Sequence, residues 1–596
     1  MSWELDATDW TRQLSSPLHD GNNPKSLRAS IAAAISMSLS LTTAGRLGFF
    51  IDYSELETVG THNFYVTRTH GSQGAVGCTW TAYDSADGAQ LATGSLSWAN
   101  HSLDVLSFQV PVTSKPAGDH RIYVLLSNPT GGAALHHGEH TVAYGIIDDD
   151  TIATSNAIFI DADAATDGTG TQASPYNNWY SARDALLVTD RYIYIKGLMV
   201  PDGTDSVAMS DPVKHLALKG TFEGRASEAQ RLIIRNWPNF IGGVDGGEQT
   251  DVAGFACDAG SSSTAAVRYI TFKGLSFTNL DTSGIGYFGY VFCLRIRGQR
   301  ENLQPVEHFS MENIKIDGLL SGANFTSACW YVERCDHLKM WRCNITNTIY
   351  ANKPDPNLHA FQTYGTRFCS LQCNTLSNTA GGFYEKSGYV GDTVGVGMCV
   401  RFNILNSGQI TVSTQGGTPV QDFHIFSNNI LASTNETDHS KPIQLSQSST
   451  YTISTKTQIN NNIFYDYDFS NVGTIRSNVA GFEGIILFNN IFNEIGEAWR
   501  IDNAADAPEY VDYNAYYNGV LASQPLVANN SSTYITVSAL QSSSALEQNA
   551  ITANPLFVDA ANGDFTLQSA SPSISGGVDG TQQGIYLGDF YTIGAN

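Results

Sequence analysis

Two sets of chemically capable side chains recur between residues 290 and 390. Arg295, Tyr331, Gln362 and Tyr384 form one set, and Arg297, Glu333, Tyr364 and Lys386 follow two positions behind each of them. Phenol rings stack on pyranose faces, while Arg, Gln and Lys bind hydroxyls or uronate carboxylates, so a grouping of this kind suits a sugar chain. Elimination at a uronic acid needs a cation to neutralise the substrate carboxylate and a base to take the C5 proton. Lys386, Tyr364, His359 and Arg297 are residues of those types. Glycoside hydrolysis needs two carboxyl groups roughly 5 to 9.5 Å apart. Glu333 is the one carboxylate in the two sets, so Asp355 or Asp392 would have to join it from loops, and the lyase reading is favoured. The candidate catalytic residues are therefore Glu333, Tyr364, Lys386 and His359. The candidate substrate-binding residues are Arg295, Arg297, Tyr331, Gln362 and Tyr384. Two plainer readings compete: a glycan-binding surface without catalysis, and a solvated charge ladder of Arg297, Glu333 and Lys386 that contributes little. His70, His136, His137, His424 and His439 show no metal-ligand spacing with another His or Cys.

These residues can act together only if segments some thirty positions apart lie side by side. They sit in a family of short strands: FCLRIRG (292–298), WYVERC (330–335), AFQTYG (360–365), FYEKSG (383–388), ITVSTQG (410–416), IQLSQS (443–448), TIRSN (474–478) and WRIDN (499–503). A second family is anchored on Asn344, Asn374, Asn403, Asn429, Asn462, Asn490 and Asn514, at intervals of 30, 29, 26, 33, 28 and 24 residues. Three positions before each stands an apolar residue: Trp341, Leu371, Val400, Phe426, Ile459, Leu487 and Val511. Units with one apolar face are not stable alone and must stack, so the repeat predicts a β-solenoid of about 14 coils with two strands and a turn or two per coil. The Asn is expected at a corner, where it tolerates left-handed backbone angles, with its amides bonded along the stack. In a strand, alternate residues point out. With Leu294, Ile296, Trp330, Val332, Phe361 and Phe383 inward, the two chemical sets become adjacent outward columns.

Composition narrows the class. The 596 residues carry 32 basic and 56 acidic side chains, a net charge of −24, which leaves little to neutralise phosphates and argues against nucleic-acid binding. Charged residues are 15% and hydrophobic ones 42%, too apolar for disorder, and 55 glycines suit strands and turns. No apolar run is long enough for a spanning helix, so membrane insertion is not expected. The stretch 29–44 lies too far from Met1 and holds too much Ser and Thr for a secretory signal, so either a leader has been removed or the protein leaves its cell by another route such as lysis. Nine cysteines without CxxC pairs do not require disulfides. Up to about residue 150 the chain reads as short alternating strands split by Gly, Asp and Asn turns, which predicts a β-sandwich.

The wording of that first part resembles a Calx-β domain over residues 48–150. The resemblance rests on FYVTRTHGSQGAVGCTWTAYDS (64–85), IYVLLSNPTGGAALHHGEHTVAYGIIDDD (122–150) and the closing Asp148 to Asp150. It implies a Ca²⁺ site with Glu55 or Glu57, Asp148 and Asp150 as ligands, since a hard cation needs six to eight oxygens. The family's central acidic residues are not found, and the Asp triplet reads equally well as a solvated hinge. The closing phrase NPLFVDAANGDFTLQSASPSISGG (554–577) is similar to the last turns of many secreted bacterial parallel β-helix proteins. It extends a resemblance to the pectate-lyase-like class over about residues 157–590. The phrase NKPDPNLHAFQTYG (352–365) looks like segments of polysaccharide-processing β-helices in which a His or Asp leads into a Gln-bearing strand.

The expected fold is all-β: an N-terminal segment 1–47, a Calx-β-like sandwich 48–150, and a long right-handed parallel β-helix 151–590 with a cap at 158–187 and closing turns at 551–590. Together the resemblances imply a phage tailspike or tail-fibre protein, a homotrimer in a virion tail beside other tail proteins, that binds and could depolymerise a bacterial surface polysaccharide. No cofactor beyond the Ca²⁺ is implied. The alternatives are a secreted extracellular polysaccharide lyase and a structural or adhesive β-helix without activity.

Overall fold

The computed structural model describes residues 44–585 except 57, 72, 101, 103–104, 116–117, 137–140, 149–150, 202–213, 219–224, 248–251, 259–266, 282–292, 298–305, 322–326, 334, 351–357, 380–381, 388–396, 407–408, 415–421, 434–441, 448–454, 468–473, 478–483, 502–507, 519–526, 530–531 and 578–581. Alternation of apolar and polar residues in its first hundred positions produces two packed sheets. One orders Leu106–Val112, Gly60–Thr69, Arg46–Ile51 and Ala134–Leu135. The other orders Tyr53–Leu56, Val142–Ile147, His120–Thr130, Val76–Asp84 and Gln90–Trp98. Leu47, Phe49, Val66, Trp80, Val110 and Val124 fill the space between them, as the inner faces of a sandwich must.

From Ala157 onward the chain winds into a right-handed parallel β-helix. Each central coil has three strands, one more than the sequence suggests. In one coil these are Cys335–Trp341 of the rod's first sheet, Asn344–Tyr350 of its second and Leu358–Tyr364 of its third, and they pair in parallel with Arg367–Gln372, Thr375–Thr379 and Phe383–Ser387 of the next. The corner after Trp341 takes only two residues, so the first two strands read as one apolar run in the sequence. Among the described residues, eleven successive pairings join twelve strands of the first sheet. At about 4.8 Å per strand the rod is about 50 Å long, shorter than 14 coils would give.

The corner also corrects the residue assigned to it. The left-handed backbone belongs to the position before the ladder residue: Arg342, Cys373, Phe402, Asn428, Asn461, Asn489 and Tyr513 have φ between 55° and 59°. The asparagines that follow the last six of these, Asn374, Asn403, Asn429, Asn462, Asn490 and Asn514, are fully buried, and their amides form a continuous chain. Asn374 Nδ2 donates to Asn403 Oδ1, Asn403 to Asn429, Asn429 to Asn462, Asn462 to Asn490 and Asn490 to Asn514, all at 2.9–3.0 Å. Each Oδ1 also accepts the backbone N–H of the preceding ladder residue, as in Asn403 N to Asn429 Oδ1 at 3.0 Å. The second amide hydrogen takes a main-chain carbonyl, as in Asn429 Nδ2 to Val400 O at 2.9 Å. Every donor and lone pair of such an amide is thereby used.

The first copy of the repeat is out of register by one. Leu371, Val400, Phe426, Ile459, Leu487 and Val511 pair in sequence as expected. Leu371, however, faces Met340, and Trp341 faces Gln372. A slip of one residue exchanges the two faces of a strand, so Trp341 points out of the rod. Cys343, not Asn344, holds the ladder position, and its N–H donates to Asn374 Oδ1 at 2.9 Å. Eight of the nine cysteines, all but Cys257, are placed as buried side chains.

Both ends are closed by short helices. Trp179–Ala185, capped by Asn178, inserts Trp179 against Phe255 and donates its indole N–H to Ala217 O at 2.9 Å. Val537–Ser543 buries Val537 and Leu540 in the same core at the other end. Residues 551–577 and 582–585 lie beside the second sheet, where Phe565 and Ile585 pack with Ile463 and Ile491.

The sandwich lies along the outer face of the first sheet. Trp341 stacks on Tyr53 with centroids 4.5 Å apart and rings 6° from parallel, and Phe402 meets Phe50 edge-on. Arg401 donates to Phe50 O at 2.6 Å, Tyr144 donates to Glu228 at 2.9 Å, and Arg121 pairs with Glu312. The contact therefore extends along several coils.

Candidate functional site

The third sheet brings the two sequence-derived sets into register. Arg295 pairs with Tyr331, Tyr331 with Gln362, Gln362 with Tyr384 and Tyr384 with Thr411. The same ladder sets Arg297 beside Glu333, Glu333 beside Tyr364 and Tyr364 beside Lys386. The residues expected inward are inward: Leu294, Ile296, Trp330, Val332, Phe361 and Phe383 all belong to the main core. Strand period alone therefore gives the two columns.

Exposure does not follow from direction. Arg295, Tyr331, Glu333, His359 and Gln362 are each at most 3% exposed, whereas Tyr364 and Tyr384 are half-buried. Neighbouring members of stacked columns cover one another. Tyr331 donates to Glu333 Oε2 at 3.3 Å, and Gln362 Nε2 donates to the Tyr364 hydroxyl at 2.8 Å. The Tyr331 and Tyr364 rings lie 5.6 Å apart, and His359 stacks on Tyr384 at 4.4 Å. The backbones of Arg297 and Lys386 are placed, but their side chains, like Lys353, Asp355 and Asp392, lie outside the described residues. Beyond Thr411 the first column continues through Gln444, Arg476 and Arg500, all half-buried. Arg500 is held by Glu497 through two bonds of 2.9 Å.

One carboxylate escaped the sequence reading. Glu385 occupies an inward position between Thr363 and Val412 and is fully buried. Burial, then the charge of Glu385, pushes the Cys369 thiol well above its ordinary value. The signal was present in FYEKS, where a Glu stands on the apolar phase of a strand. As a carboxylate facing away from the outward columns, it does not provide the partner that Glu333 would need for hydrolysis.

The histidines without metal spacing are core residues where described. His424 is fully buried, accepts the Met398 N–H at 3.3 Å, and is pushed down to about 3 by burial. His70 and His136 both contact the Thr69 hydroxyl.

The calcium ligands expected from sequence fall on the docked side of the sandwich. Glu55 is ion-paired with Arg342 at 2.6 Å. Asp148 lies 2.8 Å from Lys273 and 3.7 Å from Arg235, while Glu57 and Asp150 lie outside the described residues. Among the described residues no group of three or more His, Cys, Asp or Glu side chains could hold a metal ion. Glu55 and Asp148, the described members of that set, each already face a cation, an arrangement that does not suit Ca²⁺ ligands.

No protein-family model matches the chain, and no curated protein matches it in sequence. Among solved structures, the apo-form Calx CBD1 domain is similar at 21% identity, covering 17% of this chain and 96% of that one, with a TM-score of 0.16. The calcium binding domain CBD12 of CALX1.1 is 21% identical over 20% of this chain and 54% of that one, with a TM-score of 0.16, so this chain spans about half of it. The complex structure of XylC with xylose is 10% identical over 62% of this chain and 85% of that one, with a TM-score of 0.34.

Proposed function

We propose that the protein binds an acidic bacterial polysaccharide along the outward face of the third sheet and cleaves it by elimination. The observation that carries this reading is the registered pair of columns, which collects phenols, an amide, one carboxylate and cationic positions on adjacent coils. Tyr364 is the half-buried member with an oriented hydroxyl, held by Gln362, and it is the base in this reading. As a phenolate its oxygen takes the C5 proton of a uronate unit, the C4–O bond breaks, the C4–C5 double bond forms, and the Tyr364 hydroxyl so formed returns that proton to the departing oxygen. Arg297 and Lys386 neutralise the substrate carboxylate, and Tyr384, backed by His359, is the stacking face. Arg295, Tyr331, Glu333 and Gln362 are too covered to meet a sugar directly and act as its support.

The same reading makes the chain a tailspike-like or tail-fibre-like homotrimer in a virion tail, with a secreted lyase as the alternative. A long rod with a sandwich fixed on its flank supports either. Incubation with capsular, lipopolysaccharide and algal glycans, followed by absorbance of the unsaturated uronate and assay of reducing ends, tests the chemistry. Unsaturated product supports elimination, reducing ends without it mean hydrolysis, and binding without either leaves an adhesin. Mass measurement of the assembly tests the trimer, and a monodisperse monomer removes the tailspike.

A further inference from the structure

The first sheet of the rod places two cations against two carboxylates of the sandwich. Lys273 Nζ lies 3.0 Å from Asp119 Oδ2 and 2.8 Å from Asp148 Oδ1. Arg235 donates to Asp119 Oδ1 and lies 3.7 Å from Asp148 Oδ1. The side chains of Asp119, Lys273 and Arg235 are 1%, 3% and 5% exposed, whereas Asp148, 32% exposed, closes the group at its rim. Burial would raise Asp119, but Lys273 and Arg235 outweigh it and hold its carboxyl below the usual carboxylate range.

One positive centre bridging carboxylates that flank two separate strands, Asp119 before His120–Thr130 and Asp148 after Val142–Ile147, is what a divalent cation does in a calcium site. Ca²⁺ would sit about 2.3–2.6 Å from six to eight oxygens, whereas an ammonium needs only a few acceptors at ordinary hydrogen-bond distance. Two carboxylates against two side-chain cations are also neutral, and a dication added there would leave buried charge unpaired. We infer that Lys273, with Arg235, takes the place of a bound divalent cation at this end of the sandwich, so that the rod itself supplies the charge that docks it. The docking is calcium-independent, and the sandwich and rod unfold and move as one body.

The test uses the full chain with Ca²⁺ alone as probe. For the unaltered protein, calorimetric titration is expected to give no saturable heat, and the unfolding midpoint is expected to be the same in Ca²⁺ and in chelator. Saturable binding of Ca²⁺ that Asp119→Asn abolishes overturns the inference. Lys273→Ala opens the space between the two carboxylates. It is expected to unfold the sandwich in a separate, earlier transition that Ca²⁺ shifts back upward, while Lys273→Arg keeps a single transition. A Lys273→Ala chain that unfolds as the unaltered one does, or whose early transition ignores Ca²⁺, also overturns it. If that variant does not fold, the titration of the unaltered chain still decides.

Discussion

At the scale of single residues, Tyr364 and Glu333 separate the two chemistries. Tyr364→Phe removes the hydroxyl that Gln362 orients but keeps the ring. It is expected to lower turnover about 100-fold or more with little change in glycan binding, read as uronate absorbance against a binding isotherm. Glu333→Gln retains the hydrogen-bonding shape beside Tyr331, so a lyase should keep most of its rate. Loss of all activity in Glu333→Gln with Tyr364→Phe unaffected would reverse the roles. The residue types were legible without a structure, because sugar chemistry uses few side chains. Their burial was not, since exposure depends on what covers a face and not on which way the face points.

At the scale of elements, the asparagine ladder is the part most open to measurement. Asn429→Ala leaves the amide of Asn403 and the Val400 carbonyl without their partners inside the rod. The expected cost is about 3 kcal/mol, read from denaturant unfolding with an unchanged m-value. The ladder ends on Glu547, whose Oε1 accepts from Asn514 Nδ2 at 2.8 Å. Burial raises Glu547 from 4.5 to about 8, against the hydrogen bonds of Tyr516 and Asn514. Because the folded form holds the proton more tightly, this contribution is complete below about pH 4.5 and is lost as pH rises to about 8. Glu547→Gln is expected to flatten stability over that window, and an unchanged pH slope would show that Glu547 is not its source. Spacing of seven asparagines revealed the stack, yet the corner residue was misassigned. In Asn428-Asn429 and Asn461-Asn462 the first residue turns and the second bonds, and nothing in the letters orders the two.

At the scale of the whole molecule, the sandwich and rod share a buried, mixed boundary. Trp341→Ala removes the ring that stacks on Tyr53 and is expected to cost about 3 kcal/mol, splitting one unfolding transition into two while the rod's own midpoint holds. A single lowered transition would mean that Trp341 supports the rod and not the docking. The boundary is also expected to tolerate acid. Burial would raise Glu228, but Arg231 outweighs it and holds Glu228 at about 2. The stability from that pair is present above about pH 4.5 and lost only as pH falls through about 2, so the two segments should remain joined in calorimetry at pH 4 to 5.

The sequence by itself determined the sandwich, the stacked coils and the two outward columns, because strand period and repeat length are local properties that each segment carries alone. It could not determine that each coil has three strands, that Trp341 faces outward, or that the acidic side of the sandwich rests on Lys273 and Arg235. Those outcomes rest on pairing between neighbouring coils and on contacts between the sandwich and the rod, not on the local sequence of any one segment. A one-residue change of register or a docked neighbour alters what a side chain meets without altering the letters around it.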